Sequence, residues 1–330
     1  MSLKRAAACV KRHKNFLITS HTNLEGDAIG SELAFYRLLK KLGKGATIIN
    51  EDDLPYGYDF LPGKNKIKKF KQGMKGVRFD CFVALDCSDL KRTGEVYRLN
   101  IGNKPVLNID HHISNEGFGD INWIEAGASS CSEMIYKLYK KLGLSLDRET
   151  ALCLYVGMLT DTGSFRYPNT TSFTHKAVSG LLRYNLDIPE IYKNIYENIP
   201  LEDLRLLSKI LPEMRIAADG KIAWFQLKRN ILKNKKLSFD LTENLLGFAR
   251  VIKDVEAMAL FKENLGVKDE VRVNLRSRGE VDVNKIAQFF GGGGHKTASG
   301  ATVRGKIDQV RRKVLAKIKE SLLAGRDRTR

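Results

Sequence analysis

Three short apolar runs, NFLITS (15–20), FDCFVALD (79–86) and PVLNID (105–110), each end on or just before a residue that can do chemistry: His21, Asp86, and Asp110 with His111 and His112. Their composition reads as buried β-strand. Around them the spacing turns helical. From Asp27 to Leu42, Ile29, Leu33, Tyr36 and Leu39 mark successive turns, and Gly43 is placed to end the helix. Ser130 and Glu133 have the capping-box spacing ahead of a helix carrying Met134, Ile135, Leu138 and Leu142. ETALCLYVGMLTD (149–161) reads as another buried helix. Strand and helix in alternation predict an α/β fold with a mostly parallel sheet covered on both faces.

At 330 residues the chain exceeds a comfortable single core. The texture changes after residue 186. Pro189, Pro200 and Pro212 punctuate amphipathic helical sequence, as a connector between domains would be punctuated. KIAWFQLK (221–228), VEAMALFKE (255–263) and EVRVNLRS (270–277) then follow as strands. In the last of them Val271, Val273 and Leu275 share one face while Arg272, Asn274 and Arg276 share the other. A helix with Val283, Ile286, Ala287 and Phe290 on one side precedes GGGGHKTASG (291–300). The expected organisation is a sheet domain over 1–187, a helical connector over 188–204 and a smaller α+β domain over 205–330.

The bulk properties narrow the setting. No run has the length of a membrane span, and the basic N-terminus lacks the long apolar stretch of a secretory signal. Cys9, Cys81, Cys87, Cys131 and Cys153 form an odd set without CxxC spacing, so buried reduced thiols and a cytoplasmic location are expected. The formal net charge is +18, and six lysines fall between Lys64 and Lys75 without an acid. Such a field attracts polyanions, nucleic acid included, although a solvated basic surface explains it equally well.

Acids and histidines gather in four places: HTNLEGD (His21, Glu25, Asp27), LDCSD (Asp86, Asp89), DHH (Asp110, His111, His112) and TDTGSF (Asp161). In open α/β sheets the carboxyl ends of the strands line one crevice, where these groups can converge. Packed carboxylates repel one another unless cations neutralise them. Carboxylate mixed with neutral imidazole suits a divalent ion such as Mn²⁺, and a cluster this rich has room for two ions sharing one bridging carboxylate. The plainer reading of any single aspartate after a strand is a helix cap. In the second domain, the four glycines of 291–294 can expose backbone N–H groups to phosphate oxygens. His295 adds a donor, and Arg276 can pair with a phosphate bidentately. A flexible hinge is the alternative for the glycines, as a surface role is for Arg166 in GSFRYPNTT.

With these residues in place the chain resembles the DHH-family phosphoesterases, and within them the nanoRNase branch (NrnA-like) that also acts on 3′-phosphoadenosine 5′-phosphate. The motifs HTNLEGDAIGS, ALDCSD, NIDHHISN, LTDTGSFRYPNTT and LRSRGEVDVNKIAQFFGGGGHKTASGA carry the likeness over nearly the whole chain. The resemblance implies that residues 1–187 are the catalytic domain and 205–330 a DHH-associated domain that holds substrate across an active-site cleft. It implies one ion on His21, Glu25 and Asp86, and a second on Asp27, Asp86, His111 and Asp161. His112 would face the scissile phosphate, with Asp110 orienting a histidine from behind. Substrate contacts would come from Arg276, Ser277, Gly292, Gly293, Gly294, His295 and Arg166. The chain departs from the family's His-x-x-x-Asp-x-Asp at one place, where Glu25 adds a methylene.

The implied reaction is hydrolysis at phosphorus by water activated between two divalent ions, most simply Mn²⁺ with Mg²⁺ or Co²⁺ as substitutes. Short RNA would yield mononucleotides, and 3′-phosphoadenosine 5′-phosphate would yield AMP and phosphate. Two other readings stay open: a cyclic-dinucleotide (c-di-AMP or linear pApA) phosphodiesterase of the same family, and a non-catalytic nucleic-acid-binding protein with a decayed site. No membrane partner is expected, and the sheet domain is a place where a homodimer could form.

Overall fold

The structure is a computed structural model that describes residues 2–74, 76–232, 241–264 and 266–326. Lys75, the end of the lysine run, and the last four residues of the basic C-terminus lie outside the described residues. The chain divides into two compact units, Met1–Asn198 and Ile199–Arg330.

The first unit contains, in chain order, α1 (Ser2–Arg12), β1 (Asn15–Thr19), α2 (Gly26–Lys41), β2 (Gly45–Asn50), β3 (Ile67–Lys69), β4 (Cys81–Leu85), β5 (Val106–Asp110), β6 (Ile121–Ile124), α3 (Cys131–Leu142), α4 (Arg148–Asp161), α5 (Ser172–Leu182) and α6 (Ile188–Tyr196). Its sheet is parallel throughout, in the order β3-β2-β1-β4-β5-β6. The chain therefore runs outward in one direction through β1, β2 and β3, then returns to β4 on the other side of β1. Strand order reverses between β1 and β4, and such a switch point opens a crevice at the carboxyl ends of the two strands.

Alternation along β1 shows how the sheet is covered. Phe16 and Ile18 enter a core with Leu33 and Phe35 of α2, Leu138 of α3 and Leu154 of α4. Leu17, between them, points to the opposite face and joins Ile49, Phe82, Ala84 and Val96. That second face is covered by loop residues such as Phe70, Met74 and Phe79 and by 3₁₀ turns over 90–99, where regular helices were to be expected on both sides. Gly94, at φ of +63°, breaks the 90–99 segment before it can form a regular helix.

The caps follow the sequence with one difference. Ser130 Oγ accepts from the Glu133 amide, but Glu133 does not reach back to Ser130; it binds the Ser129 amide and hydroxyl, Thr174 and Lys137. All five cysteines are free and buried.

The second unit contains α7 (Leu201–Ile210), β7 (Arg215–Ala217), β8 (Ile222–Leu227), α8 (Arg229–Leu232), α9 (Leu241–Arg250), β9 (Ala257–Glu263), β10 (Glu270–Ser277), α10 (Val283–Phe289), β11 (Gly293–Gly294), β12 (Ala298–Arg304) and α11 (Ile307–Arg326). Its sheet, ordered β11-β12-β10-β9-β8-β7, is antiparallel except for the β8–β9 pair. The stretch 188–204 is shared between the units: Ile191 of α6 packs in the first core, while Leu206, Leu207 and Ile210 of α7 open the second. On β10, Val271, Val273 and Leu275 are buried in alternation with their half-exposed neighbours.

Candidate metal centre

The ends of β1, β4 and β5 bring three of the four acidic and histidine motifs together at the switch point, and the end of α4 adds Asp161. His21 follows β1 by two residues. Its Nδ1 lies 2.8 Å from the Thr22 carbonyl, an acceptor only, so Nδ1 carries the proton and Nε2 turns inward. There Nε2 is 3.4 Å from Asp86 Oδ2 and 3.8 Å from Glu25 Oε1. His111 repeats the arrangement. Its Nδ1 faces the Ala128 carbonyl at 3.2 Å, and Nε2 lies 3.4 Å from Asp86 Oδ1, 3.4 Å from Asp161 Oδ2 and 3.8 Å from Asp27 Oδ2. Fixing the outer nitrogen against a carbonyl is how proteins orient a metal-binding imidazole.

Asp86 thus offers one carboxylate oxygen to each histidine. Both oxygens are buried without a hydrogen-bond donor, as is His21 Nε2. Buried charge left in that state is costly. Two donor sets, His21–Glu25–Asp86 and Asp27–Asp86–His111, have ligand atoms close enough to share an ion each. Oxygen and imidazole ligands in this mixture fit divalent cations of intermediate hardness, and the residues present are sufficient to hold two.

The fourth group, Asp27, is anchored from an unexpected direction. Its carboxylate accepts from the amides of Cys131 and Ser132, at 2.6 and 2.8 Å, in the first turn of α3. Neither Glu25 nor Asp27 caps its own helix: Glu25 stands at the N-cap of α2 with no side-chain cap bond. Asp89 is the ordinary case, accepting from the Lys91 amide as a turn cap and taking no part in the cluster. Asp161 is steadied by Asn169, whose amide also reaches the Ser129 carbonyl.

His112 is turned the other way. Its Nδ1 donates to Asp110 Oδ1 at 2.7 Å, leaving Nε2 as the nitrogen that can meet a substrate. Asp110 is held in turn by Asn115, whose amide nitrogen lies 2.6 Å from Oδ2 and 2.8 Å from Asn108 Oδ1. Asn108, Asn115 and Asn169 were missed by the sequence reading, although Asn115 closes the NIDHHISN stretch. Asparagines this close to a titratable motif were the available signal. Behind His21, buried Asn50 bonds Thr19, the Ser20 amide and fully buried Glu32, an outer layer equally silent in the sequence.

The electrostatics describe a centre that seeks positive charge. Burial works against a charged His21, yet Asp86 and Glu25 raise it to about 10. His111 is likewise raised, against burial, by Asp161, Asp86 and Asp27. Burial, with the Asp86 charge added, pushes the Asp27 carboxyl up to about 7. Asp86 itself stays ionised: burial opposes it, but the adjacent imidazoles of His111, His21 and His112 hold it well below the usual carboxylate range. A divalent ion must displace protons from these groups, so protons compete with it. Metal affinity is expected to rise from pH 6 to pH 8 by about tenfold or more, read by metal titration of chelator-treated protein at the two pH values. Equal affinity at both would contradict this proton competition.

Glu25 is the loosest member, with its side chain 54% exposed. Glu25→Asp withdraws the carboxylate by one methylene from an already long approach to His21. The expected result is one ion of the two binding more weakly, by a few-fold to about tenfold, with the other unchanged. Unaltered stoichiometry and affinity would remove Glu25 from the ligand set.

In the second unit the expected substrate contacts lie at the end of β10 and around the β11–β12 hairpin. Gly293 and Gly294 pair with Gly300 and Ser299 in a β11–β12 hairpin, so two of the four glycines sit in an ordered ladder. A Cβ on Gly292 would meet the Gly300 carbonyl oxygen at 2.1 Å, and Gly294 has φ of +142°, which explains the glycines by close strand approach. His295 sits half-buried at the turn, its amide donating to the Ala298 carbonyl. Arg276 is engaged by Glu243 and by the Leu275 carbonyl. Ser277 is fully buried, and its hydroxyl has no hydrogen-bond partner. In the first unit Arg166 is exposed, and its Nε donates to the Gly163 carbonyl.

A parallel sheet whose switch point gathers acids and imidazoles around a shared carboxylate defines a metal-dependent hydrolase of the phosphoesterase class. The comparisons fix which one: residues 15–158 match the DHH family N-terminal domain and residues 231–322 the DHHA1 domain, and the chain belongs to the DHH family of phosphoesterases. Its relatives include the bifunctional oligoribonuclease and PAP phosphatase NrnA of Thermus thermophilus, 32% identical over 92% of this chain and 89% of that one. The protein of the same name from Bacillus subtilis is 34% identical over 89% and 91%. A crystal structure of an exopolyphosphatase-related protein from Bacteroides fragilis superposes with a TM-score of 0.83 at 28% identity, covering 97% of both chains. Among the described residues no helix is long and apolar enough to cross a membrane.

Proposed function

We propose that this chain hydrolyses short RNA oligonucleotides to mononucleotides and removes the 3′-phosphate of 3′-phosphoadenosine 5′-phosphate, releasing AMP. The observation that carries the reading is Asp86, buried, with one oxygen toward His21 and the other toward His111. The names of the relatives supply the substrate class. His21, Glu25 and Asp86 would hold one divalent ion, and Asp27, Asp86, His111 and Asp161 the other, with Mn²⁺ the best match to mixed oxygen and imidazole donors. Bound there, the ions would activate a water and neutralise the phosphoryl oxygens.

The chain's own part is positioning. Asp110 holds His112 in the tautomer that leaves Nε2 for a non-bridging phosphate oxygen, and the carbonyls of Thr22 and Ala128 fix the two ligand rings. His295 and Arg276 are the proposed contacts to a substrate phosphate, and Arg166 an additional one. His295→Ala is expected to raise KM by about tenfold, roughly the loss of one charge-assisted hydrogen bond, while leaving metal affinity intact. Weakened metal binding at unchanged KM would reverse that assignment. A reducing compartment, the cytoplasm, suits five free buried thiols. A homodimer through the sheet unit belongs to the same reading, and sedimentation of the purified protein decides it.

Hydrolysis with Mn²⁺ of 5′-phosphorylated diribonucleotide, 3′-phosphoadenosine 5′-phosphate, cyclic di-AMP and a long RNA tests the proposal. Turnover of the first two is expected. Preference for cyclic di-AMP would transfer the chain to the cyclic-dinucleotide phosphodiesterases. Binding of long RNA with no metal-dependent cleavage of any of the four would mark a nucleic-acid-binding protein.

A further inference from the structure

The acidic centre leaves another group of ligand-type side chains unused. Cys9 and His13 stand one helical turn apart at the end of α1, and Cys81 is the first residue of β4. Cys9 Sγ lies 3.7 Å from Cys81 Sγ and 3.5 Å from His13 Nδ1. All three ligand atoms fall within 4.8 Å of one another. Tetrahedral Zn²⁺, with Zn–S near 2.3 Å and Zn–N near 2.05 Å, sets two sulfurs about 3.8 Å apart and sulfur and nitrogen about 3.6 Å apart. Two thiols in van der Waals contact would be ordinary packing. An imidazole nitrogen beside the pair, with all three ligand atoms inside 4.8 Å, makes it a set of metal-ligand type.

The surroundings favour the same conclusion. The Asp80 carboxylate accepts from the amides of Lys14 and Asn15, at 2.9 Å each, and so ties the α1–β1 turn to the residue preceding Cys81. Without an ion His13 Nδ1 donates to the Cys9 carbonyl at 3.0 Å, so binding requires the ring proton to move to Nε2; the carbonyl keeps the His13 amide, at 3.1 Å, as its partner. Cys9 and Cys81 are buried, while His13 is half-exposed and offers an entry path. Lys11, Arg12, Lys14 and Lys44 make this end of the molecule basic, and Lys44 Nζ donates to the Lys11 carbonyl. A divalent ion on two thiolates adds no net charge there. Sulfur ligands also discriminate against the harder ions that the carboxylate-rich centre would take.

We propose that Cys9, His13 and Cys81 form a second metal site, selective for a thiophilic divalent ion of the Zn²⁺ type and separate from the acidic centre. Binding converts both thiols to thiolates and releases two protons to solvent. Solvent entering beside His13 supplies the fourth donor. The site clamps α1 to the amino end of β4, whereas Asp86 follows the carboxyl end of that strand, about 16 Å away at the rise of an extended chain. The ion therefore acts on stability and not on turnover.

The test uses the full chain, reduced and stripped with a chelator, then titrated with Co²⁺ as a spectroscopic substitute. A near-ultraviolet sulfur-to-cobalt charge-transfer band is expected at one equivalent, a signal that the acidic centre, which has no sulfur ligand in its proposed set, cannot give. Cys9→Ser and Cys81→Ser should abolish the band. Cys153→Ser should retain it, and His13→Ala should weaken it by about tenfold or more in affinity. Zn²⁺ should raise the melting temperature of the parent and not of Cys9→Ser, while Mn²⁺-dependent hydrolysis is unchanged in both. If a core variant fails to fold, half-exposed His13→Ala still decides the question. Absence of the band in the parent, its persistence without Cys9 and Cys81, or an unaltered affinity in His13→Ala would each overturn the site. Failure of the phosphoesterase reading would leave these results untouched.

Discussion

Replacing Asp86 should abolish hydrolysis while the protein stays folded. The loss expected is on the order of 10³-fold or more, above the 10- to 100-fold typical of removing an outer support of a metal ligand, because one substitution takes an oxygen from both proposed ions. The structure also dictates how the experiment is done. Asp86 has φ of +53°, in the left-handed region that Asp and Asn tolerate better than Ala. Asp86→Ala therefore adds a backbone penalty to the loss of charge, and Asp86→Asn keeps the backbone preference. Both variants should give cooperative thermal transitions, with Asn nearer to the parent. Metal titration should show both ions weakened together. Near-normal activity in either variant would end the shared-carboxylate scheme, as would loss of one ion alone.

Replacement of His112 should lower kcat by about 10²- to 10³-fold, the usual consequence of removing one preorganised donor from a transition-state oxyanion. Metal affinity should hardly change, since Nδ1 is taken up by its hydrogen bond to Asp110. The series His112→Ala, Asp110→Asn, Asn115→Ala then becomes graded. Asp110→Asn removes the charge that fixes the tautomer, and Asn115→Ala removes only the support of that carboxylate. Each step outward should cost less, with the outer two between about 10- and 100-fold or below. Their pH profiles should also shift, because Asp110 lies well below the ordinary carboxylate range: burial opposes its ionisation, but His112 overcomes it. If His112→Ala instead emptied one ion site, His112 would be a ligand and the division of labour within the adjacent pair would be wrong.

Much of this centre is legible from local sequence. A strand of buried residues has to end where it meets solvent, and His21, Asp86, Asp110 and His111 stand at those ends in the chain itself. Helix α2 and strand β10 are equally local, since periods of 3.6 and 2 are written in consecutive residues. The bland alternative, a cap, also proved local where it was right, as at Asp89. What failed to read out was whatever a distant segment decided. Asp27 is bound by amides more than a hundred residues away. That Gly292 and Gly294 must lack side chains is likewise set by the strand opposite them.

The sequence by itself therefore determined the elements, the motif at each strand end and the family to which those motifs belong. Tertiary structure decided which motifs meet. β1 and β4 are neighbours only because the chain passes through β2 and β3 first and then returns, leaving His21 and Asp86 across one crevice. It also decided which nitrogen of each histidine is available, through carbonyls and carboxylates supplied from elsewhere. The physical reason is range. Secondary-structure preference is a property of neighbouring residues, whereas a shared carboxylate, a ring tautomer and a buried thiol pair depend on atoms that only the packed fold brings within 4 Å.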